Sequence, residues 1–77
     1  MAVRTIIKGD VTGDGRINLE DIIMTRRYIL GSIDIVPWQK VAADVNNDGT
    51  VIINDLIAIR NHWNGTHIIT EVTEYLE

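Results

Sequence analysis

The sequence predicts a small all-α domain. Two loop–helix units are related by an approximate two-fold axis and joined by a short linker helix, giving about three helices in total. Three observations predict this. A twelve-residue loop pattern begins at Asp10 and again at Asp44, 34 residues later. Each copy runs into a segment free of Gly and Pro that stops at a glycine, Gly31 or Gly65. The register also continues past the loops, pairing Ile17 with Val51, Ile22 with Leu56, Ile23 with Ile57 and Arg26 with Arg60.

The first loop is Asp10 to Asp21 (DVTGDGRINLED) and the second Asp44 to Asp55 (DVNNDGTVIIND). Both carry an acid at loop positions 1, 5 and 12, a glycine at 6 and an aliphatic at 8, which is the calcium-loop pattern. A hard cation takes six to eight oxygens, and a chain wrapped around one ion turns alternate side chains inward at positions 1, 3 and 5. Position 7 then offers its carbonyl, position 9 commonly works through a water, and position 12 closes the shell. The expected ligands at the first site are Asp10, Thr12 (directly or through water), Asp14, the Arg16 carbonyl, Asn18 and Asp21. At the second they are Asp44, Asn46, Asp48, the Thr50 carbonyl and Asp55. Ile52, at position 9, cannot ligate, so a free water completes that shell. Two Ca²⁺ ions are expected.

The elements follow in order. Val3 to Ile7 is β-branched and extended in preference. A full EF-hand needs a helix entering its loop, and only nine residues precede the first one. A helix is expected from Leu19 to Leu30 with Gly31 as its stop. Gly31 to Pro37 is a linker, and Pro37 suits the first turn of a short helix running to about Ala43. The third helix spans Ile53 to Asn64. Thr66 to Glu77 is a tail of alternating apolar character (Ile68, Val72, Tyr75) with no assigned structure. The position-8 residues Ile17 and Val51 are expected to meet in a short antiparallel bridge. The whole chain, 1–77, then reads as one domain. It has a first repeat at 9–31, a linker with its helix at 32–42, a second repeat at 43–65 and a tail at 66–77. Met1-Ala2 reads as an expression start, Leu76-Glu77 as a cloning remnant, and the chain as a module of a longer protein.

Composition narrows the function. Seventy-seven residues lie near the lower limit for a self-sufficient hydrophobic core, and with no cysteine bound metal is the obvious staple. Six of the eleven acidic residues occupy ligand positions, so two divalent ions would cancel the formal charge of −4. Nucleic acid is therefore not an expected partner, and no apolar run is long enough to span a bilayer. His62 and His67 are five apart with no cysteine or ligand motif around them, and are expected to face solvent. Asn64-Gly65-Thr66 fits a glycosylation sequon but coincides with a helix stop. Trp38 and Trp63 are expected to fill the space between the units, with partner contact for whichever is exposed. No acid pair outside the loops has a pocket for catalysis.

The first helix carries more apolar surface than one core face requires. Ile22, Thr25 and Ile29 form a stripe toward the second unit. Leu19, Ile23 and Leu30 lie on another, shared with Arg26 and Arg27. The equivalents in the third helix are Ile53, Ile57, Arg60, Asn61 and Asn64. Aliphatics flanked by arginines on an outward face make a protein-binding surface. The alternative is that the linker or the tail covers this stripe.

Two calcium loops, each followed but not preceded by a full helix, resemble the dockerin modules of cellulosome-type assemblies. Gly9-Asp10-Val11, Asp14-Gly15, Asn18, Asp21, Arg26-Arg27-Tyr28 and Ile29-Leu30-Gly31 carry the likeness, which covers Gly9 to Gly65. The resemblance implies a non-catalytic module, monomeric on its own and folded by two calcium ions. It would carry a secreted or cell-surface parent protein onto a cohesin domain. The partner-binding residues it implies are Leu19, Glu20, Ile23, Met24, Arg26, Arg27 and Leu30, with Ile53, Asn54, Ile57, Arg60 and Asn61 in the second repeat. Thr12 departs from the family's Asn or Asp at position 3, and Ile52 departs at position 9. Loop positions 10 and 11, often a small hydroxyl pair, hold Leu19-Glu20 and Ile53-Asn54, which implies a divergent or more hydrophobic cohesin face. The rival reading is an EF-hand calcium sensor or buffer, and a calcium-dependent enzyme lacks any catalytic constellation.

Overall fold

The computed structural model describes residues 2–76. Strand β1 (Val3–Ile7) is followed by helices α1 (Leu19–Ile29), α2 (Pro37–Ala43) and α3 (Ile53–Asn64), and then by strand β2 (Val72–Leu76). The three helices lie where the spacing predicts them. The tail does not: its alternating residues form β2, which pairs antiparallel with β1 from Val3↔Leu76 to Ile7↔Val72. The body is thus helical, and a two-stranded ribbon brings residues 3–7 and 72–76 together. Arg4, Ile6, Thr73 and Tyr75 turn toward the helices, while Val3, Thr5, Val72, Glu74 and Leu76 face water. That alternation is the period-two signature of a half-buried ribbon.

Local chemistry sets the helix limits. Asn18 caps α1, its side chain accepting from the Glu20 N–H, while Asp21 accepts from the Asn18 N–H. Both repeat helices end in the same paired bonds. Gly31 N donates to Tyr28 O and Ser32 N to Arg27 O, and Gly65 N donates to His62 O and Thr66 N to Asn61 O. Gly31 and Gly65 have φ of +79° and +78°, a left-handed conformation that glycine adopts without steric cost.

Helices α1 and α3 pack against each other. Val11, Ile35, Ala43 and Ile59 form the buried centre, with Ile17, Ile22, Met24, Tyr28, Val45 and Val51 packed around it. The expected bridge between Ile17 and Val51 is not formed. Both residues are half-buried, and they meet the core through side chains rather than a strand ladder. Trp38 is likewise not an inter-unit filler. It lies on the first loop, under the Arg4 guanidinium at 4.1 Å, and a Cβ at Gly13 would come within 2.7 Å of its ring. Trp63 is 50% exposed. His62 does not face solvent as expected. Its Nδ1 accepts from the Ile69 N–H at 2.8 Å and ties the tail to α3.

The residue equivalent to Ile59 in the first repeat is Thr25, fully buried, with no hydrogen-bond partner for its hydroxyl. A buried hydroxyl left unpaired costs about 1–3 kcal/mol, and replacing it by an apolar group of the same shape removes that cost. Thr25→Val is therefore expected to raise stability by about 1 kcal/mol. In a domain of this size that is roughly 4–8 °C in Tm, read by thermal melting with calcium present.

Candidate metal centres and interaction surface

Each loop wraps its first aspartate in main-chain donors. Gly13 N and Asp14 N donate to Asp10 Oδ1 at 3.1 and 3.3 Å, and Gly15 N donates to Asp10 Oδ2 at 2.9 Å. In the second loop Asp48 N donates to Asp44 Oδ1 at 3.2 Å and Gly49 N to Asp44 Oδ2 at 2.9 Å. Position 5 behaves the same way in both, with Arg16 N on Asp14 Oδ1 and Thr50 N on Asp48 Oδ1, each at 3.0 Å. So does position 12. Asp21 accepts from the Thr12 and Asn18 N–H groups, and Asp55 from those of Asn46 and Ile52. The turn demands positive φ at position 4, met by Gly13 at +76° and by Asn47 at +59°.

This wrapping brings the predicted acids together. Oxygens of Asp10, Asp14 and Asp21 lie within 4.8 Å of one another, as do those of Asp44, Asp48 and Asp55. Thr12 joins the first cluster, its hydroxyl donating to Asp21 Oδ1 at 2.9 Å and lying 3.4 Å from Asp10 Oδ1. Asn46 Oδ1 accepts from Asp48 N at 3.3 Å beside the second. Among the described residues no donor lies on the carbonyl oxygens of Arg16 and Thr50. Asn18 is placed differently. Its oxygen is committed to capping α1, and its amide nitrogen donates to Asp14 at 3.3 Å. Ile52 holds the equivalent N-cap position without a side-chain hydrogen bond.

The donor sets consist of oxygen alone, with three carboxylates converging. That suits a hard divalent cation and not a soft one. Burial, reinforced by the nearby Asp21 charge, holds Asp10 above the ordinary carboxylate value of 3.8 despite the Gly15 N–H. Burial likewise raises Asp55, over the opposing Ile52 and Asn46 N–H groups. Exposed Asp14 and Asp48 are lowered by the Arg16 and Thr50 N–H groups respectively.

A carboxyl raised in the folded state binds its proton more tightly there than in the unfolded chain. Asp10 and Asp55 therefore favour the ion-free fold as pH falls toward their raised values, and that contribution is lost as pH rises through them. A cation needs both groups ionised, so its affinity runs the other way. Calcium binding is expected to weaken, and to release protons, as pH falls toward the raised values of these two groups, both measurable by calorimetry in buffers of different ionisation enthalpy.

The aliphatic stripe of α1 is open. Leu19, Ile23 and Leu30 are 48, 40 and 68% exposed, with Arg26 and Arg27 exposed beside them. Ile23, Arg26, Arg27 and Leu30 line a shallow hollow of about 360 Å³. On α3, Ile53 and Ile57 are 54 and 39% exposed, with Asn54 and Arg60 also exposed. Among the described residues neither the linker nor the tail closes over these side chains, although Ile33 of the linker lines a hollow with Ile23 and Arg27. Met24 and Asn61 are half-buried, and Met24 turns to the core, its sulfur accepting from Gln39. The sequence reading missed Lys8, Gln39 and Glu71, which fasten loops, linker and tail to one another. No periodicity or motif marks them, because each acts through contacts far away in sequence.

No curated protein matches the chain. Among solved structures the chain is similar to one of the third cohesin ScaC in complex with the ScaB dockerin from Acetivibrio cellulolyticus. That dockerin carries an IN to SI mutation in its N-terminal helix and displays a type I interaction. The identity is 33% and the TM-score 0.78, over 84% of this chain and 92% of that one. The sequence pattern of the dockerin type I domain matches residues 8–64. With the doubled loop geometry above, that match shows that the chain belongs to the dockerin type I domain family.

Proposed function

We propose that the chain is a non-catalytic, calcium-dependent docking module. It would bind a cohesin domain and so anchor a parent protein in an extracellular, cellulosome-like assembly. The observation that carries this reading is the likeness to a dockerin solved in complex with a cohesin, over nearly the whole of that chain. The module spans the full chain, with repeats at 9–31 and 43–65 held by the ribbon of residues 3–7 and 72–76. Two Ca²⁺ ions would be held by Asp10, Thr12, Asp14, the Arg16 carbonyl and Asp21, and by Asp44, Asn46, Asp48, the Thr50 carbonyl and Asp55. Asn18, occupied as a cap, would contribute through a water. The ions supply charge neutralisation and a cross-link within each loop.

Docking is assigned to the exposed stripe of α1, with Glu20 and the two arginines at its rim and Met24 supporting it from beneath. The equivalent stripe of α3 is less apolar. Leu19, Ile23 and Leu30 fill the role of the buried anchors that dominate interface energies. A sensor of the EF-hand class needs a helix on each side of the loop to swing apart. Here a five-residue strand precedes the first loop and a seven-residue helix the second. The test is calorimetric titration against type I cohesins, once with calcium and once with chelator. Binding in calcium alone supports the reading; binding that is indifferent to calcium, or absent from every cohesin, contradicts it.

A further inference from the structure

The two loops are fastened together at the C-terminus of α2, where one buried lysine does most of the fastening. A helix ends with four carbonyls that lack helical partners. In α2 these belong to Lys40, Val41, Ala42 and Ala43. The Asp44 N–H takes the first at 2.9 Å and the Val45 N–H the last at 3.0 Å. The Gly9 N–H takes that of Ala42 at 2.8 Å, and Lys8 Nζ takes that of Val41 at 2.8 Å. The same ammonium donates to the Asp44 carbonyl at 3.1 Å.

Lys8 is only 2% exposed, and its own N–H bonds Glu71 O at 3.0 Å. Lysine is almost never buried so deeply unless its charge is partnered, and a helix C-terminus is the end that favours a cation. Lys8 stands two residues before the first loop, yet its side chain is committed to the first residue of the second. The two-fold repeat offers no counterpart, since the equivalent position is Ala42.

We propose that Lys8 is a positioning residue for the second metal centre. It fixes the main chain at Asp44 so that this carboxylate meets those of Asp48 and Asp55, and it thereby couples the two loops. The proposal rests on the calcium reading above. Packing alone explains less of Asp44's placement than of its equivalent's. Asp10 is only 5% exposed, whereas Asp44 is half-buried, so its position depends more on its main-chain anchors.

The test uses calcium as the probe and separates the two centres. Asp10→Ala leaves the second centre intact, and Asp44→Ala leaves the first. Lys8→Met, of similar length but without the ammonium, is added to each, and calcium affinity is read by calorimetry. Lys8→Met is expected to weaken binding about tenfold at the second centre and threefold or less at the first. Equal losses would mean that Lys8 serves general stability, and no loss would mean that it serves neither centre. Either result overturns the proposal. If Lys8→Met does not fold at saturating calcium, Lys8→Gln, which keeps a donor on a shorter arm, is judged by the same ratio. If the unsubstituted chain binds no calcium at all, the calcium reading itself fails and takes this proposal with it.

Discussion

Chelation of calcium is expected to unfold the chain. Three carboxylates converge in each loop, and Asp10 and Asp55 are held above the ordinary carboxylate value by burial first and by neighbouring charge after it. Against that repulsion stands a small core, with only Ile6, Val11, Ile35, Ala42, Ala43 and Ile59 as its buried hydrophobic residues among those described. A ligand at a hundred times its Kd adds about 2.7 kcal/mol of stability per site. Two sites then contribute about 5 kcal/mol, a large share of the roughly 5–15 kcal/mol that a folded domain has in total. Most of the helical circular dichroism should vanish in chelator and return with calcium. A cooperative thermal melt of a fully helical ion-free form would show instead that the core suffices without the ions.

Docking through α1 is expected to produce the largest effect of any surface substitution. Ile23 and Ile57 are equivalent in the repeat and almost equally exposed, at 40 and 39%, so exposure cannot separate them. Their surroundings can. Around Ile23 stand Leu19, Arg26, Arg27 and Leu30, while around Ile57 stand Ile53, Arg60, Asn61 and Asn64. Replacing Leu30 and Arg27 by two asparagines removes both an apolar anchor and a charge. A central anchor carries about 2 kcal/mol or more. Ile23→Glu should therefore weaken cohesin binding at least ~30-fold, and Ile57→Glu no more than about threefold. The measurement is the affinity of both single variants and the double variant for the same cohesin. Normal binding by each single variant, with failure only of the double, would mean that both helices dock in turn and that the repeat symmetry outweighs the mismatches.

The parts of this molecule that were legible in its sequence are those that local chemistry dictates. A loop that must wrap an ion needs acids at fixed spacing and a backbone able to turn, so Asp10 to Asp21 and Asp44 to Asp55 announce themselves. Helix limits were legible at Gly31 and Gly65 for the same reason, since both take positive φ in identical terminal bonds. The strand Val72–Leu76 was not, although its alternation was visible. A two-stranded ribbon depends on a partner at the other end of the chain, and the pairing Val3↔Leu76 leaves no local trace. Ile17 and Val51 show the converse. The repeat made them symmetric, and symmetry suggested a bridge, but their side chains are claimed by the core instead. Lys8 was invisible for a third reason. A lysine reads as surface, and only the unpaired carbonyls at the end of α2 give it a buried place. Asn18 gave a mixed signal, because position 9 of a calcium loop is also the N-cap of α1, and its oxygen serves the cap.

Folding by two calcium ions and docking on a cohesin are tested together, and most directly, by native mass spectrometry of an equimolar mixture with a type I cohesin. The expected spectrum shows a one-to-one complex containing two calcium ions contributed by this chain, and separated partners once chelator is added. A complex that survives chelation, or one whose chain carries no calcium, would contradict it.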